Sequence, residues 1–86
     1  VLVVGAGKAG AGMAAGLEAA LADRLDRVAG LVNVPAGVTA PVARVRLHAA
    51  RPQGVNEPTA EGVAGVEEML RRLAAAGPDD VAVCLL

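Results

Sequence analysis

Apolar runs alternate with amphipathic stretches along this chain, and that alternation predicts its elements. Val1 to Val4 is continuously apolar. A strand apolar on both faces suits the interior of a parallel sheet. Gly5 to Gly7 then form a turn. From about Lys8 to Arg27 the period is helical. Met13, Leu17, Leu21 and Leu25 recur every four residues and predict the buried stripe, with Glu18, Asp23, Arg24 and Asp26 mostly off it. Alanines fill much of this stretch and favour a helix. Gly10, Gly12 and Gly16 oppose it, each by about 0.5–1 kcal/mol relative to alanine. Glycines at such a cost suggest close packing of helix on strand, or a ligand near the backbone.

Val28 to Val34 reads as a second strand, ended by Pro35-Ala36-Gly37. Pro41 to Leu47 reads as a third. Its partial alternation, with Val42, Val45 and Leu47 against Arg44 and Arg46, suits an edge or half-exposed position. His48 to Pro58 reads as a loop. A second helix is expected from about Thr59 to Ala76, capped by Thr59 or Asn56. Val63, Val66, Leu70 and Leu73 share one face, and Glu67, Glu68, Arg71 and Arg72 the other. That polar face is expected to be solvated, with i,i+4 ion pairs. Gly77-Pro78 is a stop signal. Asp79-Asp80 leads into a final apolar strand, Val81 to Leu86.

Strands separated by helices imply parallel pairing and right-handed crossovers. The expected fold class is therefore α/β, an open, mostly parallel Rossmann-like sheet with flanking helices. Ligands in such sheets bind beyond the carboxyl ends of the strands. Here those ends are the Gly5 turn, the Asn33-Val34-Pro35 region and whatever follows Leu86.

Composition adds one expectation. The chain has 86 residues, is 55% hydrophobic and contains no Phe, Tyr or Trp. Its mean hydropathy is +0.52. A core without aromatics buries less area per residue, and a short chain buries a modest share of its surface. Both ends also lie within apolar runs. Residues 1–86 therefore read as the N-terminal part of a Rossmann-like domain, with the rest of that domain and a second domain lying outside them.

Charge excludes more than it implies. Eight basic and nine acidic residues give a formal net charge of -1. No dense Lys/Arg cluster and no stacking aromatics are present, so nucleic acid is not an expected partner. No apolar run reaches the ~20 residues of a membrane span. Cys84 has no partner for an internal disulfide. It reads as a buried small hydrophobe in a reducing, cytoplasmic setting.

The chemistry concentrates at the first turn. Gly5-Ala6-Gly7-Lys8-Ala9-Gly10 matches G-x-G-x-x-G between a strand and a helix, the context of a dinucleotide fingerprint. That fingerprint expects an acid at the end of the second strand, and Leu31-Val32-Asn33-Val34-Pro35 has none. Nor is it a P-loop, because Lys8 falls at the wrong spacing and no Ser or Thr follows it. Lys8 stands where the helix macrodipole is positive, which costs it up to about 1 kcal/mol. Lysine together with free helix N–H groups makes a site for phosphate or carboxylate. The bland alternative is a solvated lysine at a helix start.

These residues resemble a known family. Gly5-Ala6-Gly7-Lys8-Ala9 followed by Met13-Ala14 is similar to the opening motif of the glycerate 2-kinases of the MOFRL type. Gly30-Leu31-Val32-Asn33-Val34-Pro35-Ala36-Gly37 is similar to that family's strand ending in Pro-x-Gly. Asp79 to Leu86 looks like the strand that leads into its Ser-Gly-Gly-Gly-Ser loop. The resemblance spans essentially the whole chain. It implies two α/β domains with the active site in the cleft between them. It also implies transfer of the γ-phosphoryl group of ATP, with Mg²⁺, to the 2-hydroxyl of glycerate or a related hydroxy acid. Lys8 is the only match for the family's active-site lysine, so it is the expected catalytic residue. Gly5, Gly7 and Gly10 join it as the expected phosphate-binding set.

The resemblance has a gap. Many members carry His-Pro-x-Pro-Asp before the second helix, where this chain reads Arg51-Pro52-Gln53-Gly54-Val55-Asn56-Glu57-Pro58-Thr59. Arg51 and Asn56 are the candidates for equivalent polar work. His48 lies too early to replace the missing histidine, and Glu57 reads as a loop charge. Two other readings stay open: a Rossmann-type nucleotide-binding domain without kinase activity, and a non-catalytic structural unit.

Overall fold

A computed structural model describes residues 1–52 and 59–86. The first strand, β1 (Leu2–Ala6), is followed by helix α1 (Gly10–Ala20) and a 3₁₀ segment, Ala22–Arg27. Strand β2 (Ala29–Pro35) and strand β3 (Val45–Arg51) come next. Helix α2 (Ala60–Ala75) and strand β4 (Ala82–Leu85) complete the chain. All pairings are parallel, and the four-stranded sheet has the order β3-β2-β1-β4. The expected α/β class, a parallel sheet with flanking helices, is what the chain adopts.

Side-chain alternation along the strands divides the core into two layers. Val3, Val28, Val32, Val34 and Val45 pack with Ala11 and Ala14 of α1. Val4 and Leu31 pack with Met69 of α2. The central strands β1 and β2 thus contribute apolar side chains to both layers, as the double-sided apolar run of Val1 to Val4 predicts for β1. Burying their valines and leucines contributes about 1.5–3 kcal/mol for each side chain fully removed from water.

Several boundaries differ from the sequence reading. The first helix stops at Ala20 rather than near Arg27. Beyond it the chain tightens, with Arg24 N–H donating to Leu21 O, and Arg24 itself takes a non-helical φ of -132°. Asp23 and Asp26 are weak helix formers, and the chain must turn there to enter β2. The buried stripe of α1 is Gly10, Ala11, Ala14 and Glu18, with Leu17 and Leu21 packed at its flank. Small residues let α1 lie close on the sheet, so the leucines fall to the side and Glu18 goes inward.

The third strand also moves. It begins at Val45 and continues through His48 to Arg51, residues expected to be loop. Residues 36–44 instead form an irregular crossover between parallel neighbours, where a helix is usual. Val38, Ala40 and Val42 pack onto the α1-side core in its place. β3 does lie at a sheet edge, as its alternation predicts.

α2 sits as expected between Thr59 and Ala76, but rotated. The Thr59 hydroxyl accepts the Gly62 N–H at 3.0 Å and donates to Ala50 O. Gly65 and Met69 face the sheet, whereas Val63, Val66 and Leu70 remain exposed. Leu73 packs against the core edge. On the polar side Glu68 pairs with Arg71 at 2.8 Å and with Arg72 at 3.2 Å. Those two guanidiniums hold its carboxyl below the usual value. The turn after α2 closes through Gly77 N–H to Asp80 Oδ2 at 2.7 Å. Cys84 is exposed on the β4 edge, not buried as expected. It lies in register with Val4, but on an edge strand, where this face of the sheet is left open to solvent. Among the described residues no helix is long and apolar enough to cross a membrane.

Candidate functional site

The carboxyl ends of β1, β2 and β3 lie along one rim of the sheet, and the turn after β1 is the richest part of it. Gly7 takes φ +117°, a conformation open to glycine and rarely to other residues. Its N–H donates to Asn33 O of β2 at 3.0 Å, and its carbonyl accepts the Gly10 N–H at 3.1 Å. Gly10 then meets β2 closely: a Cβ on it would lie 2.6 Å from Val32 Cγ1. At Gly5 a Cβ would overlap the backbone carbonyl of Leu85. The three glycines of the motif therefore shape the turn and seat it between β4 and β2. The N–H groups of Gly7 and Gly10 are engaged within it and are not donors to a ligand.

Lys8 projects from this turn and is exposed. Among the described residues it has no ion pair or hydrogen bond. The N-cap position of α1 is Ala9, which supplies no side-chain cap, and the first turn carries no acid. The positive end of the helix is thus uncompensated by a cap or a first-turn acid, and the charge of Lys8, one residue before the N-cap, adds to it. Gly12, one turn along, has open space around it. Chemically, this is a place where an anionic group finds a lysine ammonium and a helix end together.

Of the sequence-predicted set, the structure gathers Gly5, Gly7, Lys8 and Gly10 into one turn. Arg51 ends β3 on the same rim, but β2 lies between it and β1. It borders a separate cleft of about 370 Å³ with Thr59 and Glu61. Its carbonyl accepts the Ala36 N–H at 2.6 Å. Asn56 lies outside the described residues. His48 makes a hydrogen bond between Nε2 and Glu61 O at 2.8 Å, on the α2 side of β3.

Two residues that sequence reasoning passed over turn out to be central. Asn33 is 6% exposed, in register with Ala6 and His48. Its Nδ2 donates to Gly62 O of α2 at 3.0 Å. Gly62 O only accepts, which fixes which end of the amide faces it. The other end, Oδ1, is buried without a hydrogen-bond donor and rests against Gly65, where a Cβ would overlap it. A lone polar residue inside Leu31-Val32-Asn33-Val34 was the available signal. Glu18 is the second. It is 5% exposed and accepts the N–H groups of Ala43, Arg44 and Val45 at 2.6, 2.8 and 2.7 Å. Burial pushes its carboxyl pKa up, but these bonds together outweigh burial and hold it below the usual value. The spacing Ala11-Ala14-Glu18 carried that signal, hidden because the first two residues are small.

No carboxylate accompanies Lys8 in the first turn of α1. Among the described residues, no three His, Cys, Asp or Glu side chains are grouped so as to hold a metal ion. The described part of the site offers positive charge to an anion.

The sequence profile of a family described as a domain of unknown function (DUF4147) matches residues 1–86. No curated protein and no solved structure matches the chain.

Proposed function

We propose that this chain, which belongs to the DUF4147 family over residues 1–86, forms one wall of a phosphoryl-transfer site with Lys8 as its charged member. The finer reading is an ATP-dependent glycerate 2-kinase of the MOFRL type. The sequence resemblance supports it, and an exposed, uncompensated lysine at a strand's carboxyl end fits it. Phosphoryl transfer requires positioning and charge neutralisation more than covalent chemistry from the protein. Lys8 offers both at one point. Its ammonium and the α1 N-terminus attract an anionic oxygen, either of the transferring phosphoryl group or of the glycerate carboxylate. Gly7 and Gly10 hold the turn so that Lys8 stands clear of the sheet.

ATP would supply the phosphoryl group. Mg²⁺ would accompany the ATP and neutralise charge on its phosphates. An ATP-consuming enzyme acting on a small hydroxy acid also fits a cytoplasmic location.

The test is Lys8→Ala in the full-length protein, assayed for phosphoryl transfer from ATP to glycerate. A fall in kcat with KM for glycerate unchanged places Lys8 on the phosphoryl group. A rise in that KM with kcat unchanged places it on the carboxylate. Unchanged turnover in both respects removes Lys8 from the reaction.

One observation favours a second reading, a Rossmann-type nucleotide-binding domain without kinase activity. Positive φ at Gly7 and tight seating of Gly10 on β2 are what the dinucleotide fingerprint asks of its glycines. Against it, β2 ends Asn33-Val34-Pro35 without an acid for the ribose, and Asn33 is buried beneath α2. Saturable NAD binding by the full-length protein, with no transfer to glycerate, would favour this second reading.

A further inference from the structure

We propose that Asn33 is the positioning residue of this rim, locking the Lys8 turn to helix α2. The inference deepens the reading of Lys8 given above and rests on it for its catalytic readout. Its basis is that one residue ties three elements together. The main-chain carbonyl of Asn33 accepts the Gly7 N–H at 3.0 Å, one residue past the Ala6–Asn33 pair of the β1–β2 ladder, which fixes the turn after β1. The Asn33 amide donates to Gly62 O at 3.0 Å, which fixes the first turn of α2. The backbone between these two bonds is the carboxyl end of β2, so a shift of α2 that keeps the Gly62 bond pulls on the residue that holds Gly7.

The surroundings are shaped to this amide. Gly65 stands where any side chain would overlap Asn33 Oδ1. Oδ1 itself is buried with no donor. A buried polar atom left unpaired is unfavourable, and a core built only for stability would place an apolar residue here, as the Leu31 and Val32 positions do. Such a departure from the apolar pattern, at the carboxyl end of a parallel strand, marks a position held for function. A cleft of about 330 Å³ bordered by Asn33, Thr59, Gly62 and Val66 opens beside it. Anything that moves α2 there is transmitted through Asn33 to Lys8.

The experiment uses the full-length protein and three variants: Asn33→Ala, Gly65→Ala and the double variant. Gly7 is only partly buried, so slow hydrogen exchange at its amide reports the bond to Asn33 O. With the clamp removed in Asn33→Ala, protection of Gly7 should fall about tenfold. Transfer to glycerate should lose kcat with KM little changed. Gly65→Ala should do the same from the other side by pushing the amide away. The double variant separates clamp from packing. Alanine at position 33 makes room for the new methyl, so thermal stability should recover relative to Gly65→Ala while Gly7 protection and kcat do not.

Gly7 protection within twofold of the wild type in folded Asn33→Ala overturns the proposal. If Asn33→Ala does not fold, the same criterion is applied to the double variant. If the wild-type protein transfers no phosphoryl group, the kinase reading fails, and the exchange measurement still decides the clamp.

Discussion

The Glu18 carboxylate accepts the backbone N–H of Val45 at 2.7 Å, joining α1 to the first residue of β3. The same carboxylate takes the N–H groups of Ala43 and Arg44. Residues 36–44 have no helix of their own, so this one side chain satisfies three consecutive backbone donors at the end of the crossover. Glu18→Gln keeps the shape but turns an amide NH₂ toward those donors. It should cost about 1–3 kcal/mol, the penalty of leaving buried donors unpaired. Urea unfolding of the variant against the wild type measures it.

The same contact predicts acid sensitivity. The folded pKa of Glu18 lies below its ordinary value of 4.5. Below that ordinary value the unfolded chain takes up the proton first, so the unfolded state binds more protons there. The Glu18 contribution is therefore complete above about pH 4.5 and is lost as pH falls toward the lower folded value. A urea midpoint followed downward through that range should fall more steeply in the wild type than in Glu18→Gln.

The glycines of α1 should respond to alanine with opposite signs. Gly16 has open space around it, so Gly16→Ala should stabilise by about 0.5–1 kcal/mol through helix propensity alone. Gly10→Ala gains the same propensity but drives a methyl to 2.6 Å from Val32 Cγ1. Overpacking of that kind costs about 1–3 kcal/mol, so the net effect should be destabilising. Thermal unfolding of the two variants side by side gives both signs in one measurement.

Much of this fold is legible from the chain itself. The double-sided apolar character of Val1 to Val4 marks a central parallel strand, and the apolar run of Val28 to Val34 marks the second. Thr59 and Gly77-Pro78 mark the ends of α2 through capping chemistry. Other features depend on information that periodicity does not carry. His48 to Arg51 joins β3 because the β2 edge offers it backbone partners, not because its side chains alternate. Glu18 goes inward because backbone donors wait there. In α2 the exposed Val63, Val66 and Leu70 misdirect the reading, because the face that lies closest to the sheet carries glycine and methionine. At the site, the glycine-lysine turn was readable as a unit. Asn33 was not, because its role depends on a helix that lies far along the sequence.

Exposure decides what Lys8 should do when removed. Lys8 makes no hydrogen bond or ion pair among the described residues, so Lys8→Ala should leave stability within about 0.5 kcal/mol of the wild type. Relief of its unfavourable helix-end position should offset any loss. If Lys8 neutralises transition-state charge, kcat should fall about 10²–10³-fold, and Lys8→Arg should recover part of that. A loss of activity accompanied by unfolding would assign the effect to structure, and circular dichroism of the variant distinguishes the two.

The strand order has a consequence for how this protein is made. β1 precedes the other three strands in the chain and ends up in the middle of the sheet, yet its second neighbour is β4, with Leu2 in register with Ala82. The pairing cannot form until β4 has followed β1, both intervening strands and both helices out of the ribosome. Until then β1 presents one unpaired apolar edge. Parallel sheets of this non-local kind fold slowly and are open to misassociation in the interval. The nascent chain is therefore most vulnerable at the strand that feeds the Lys8 turn.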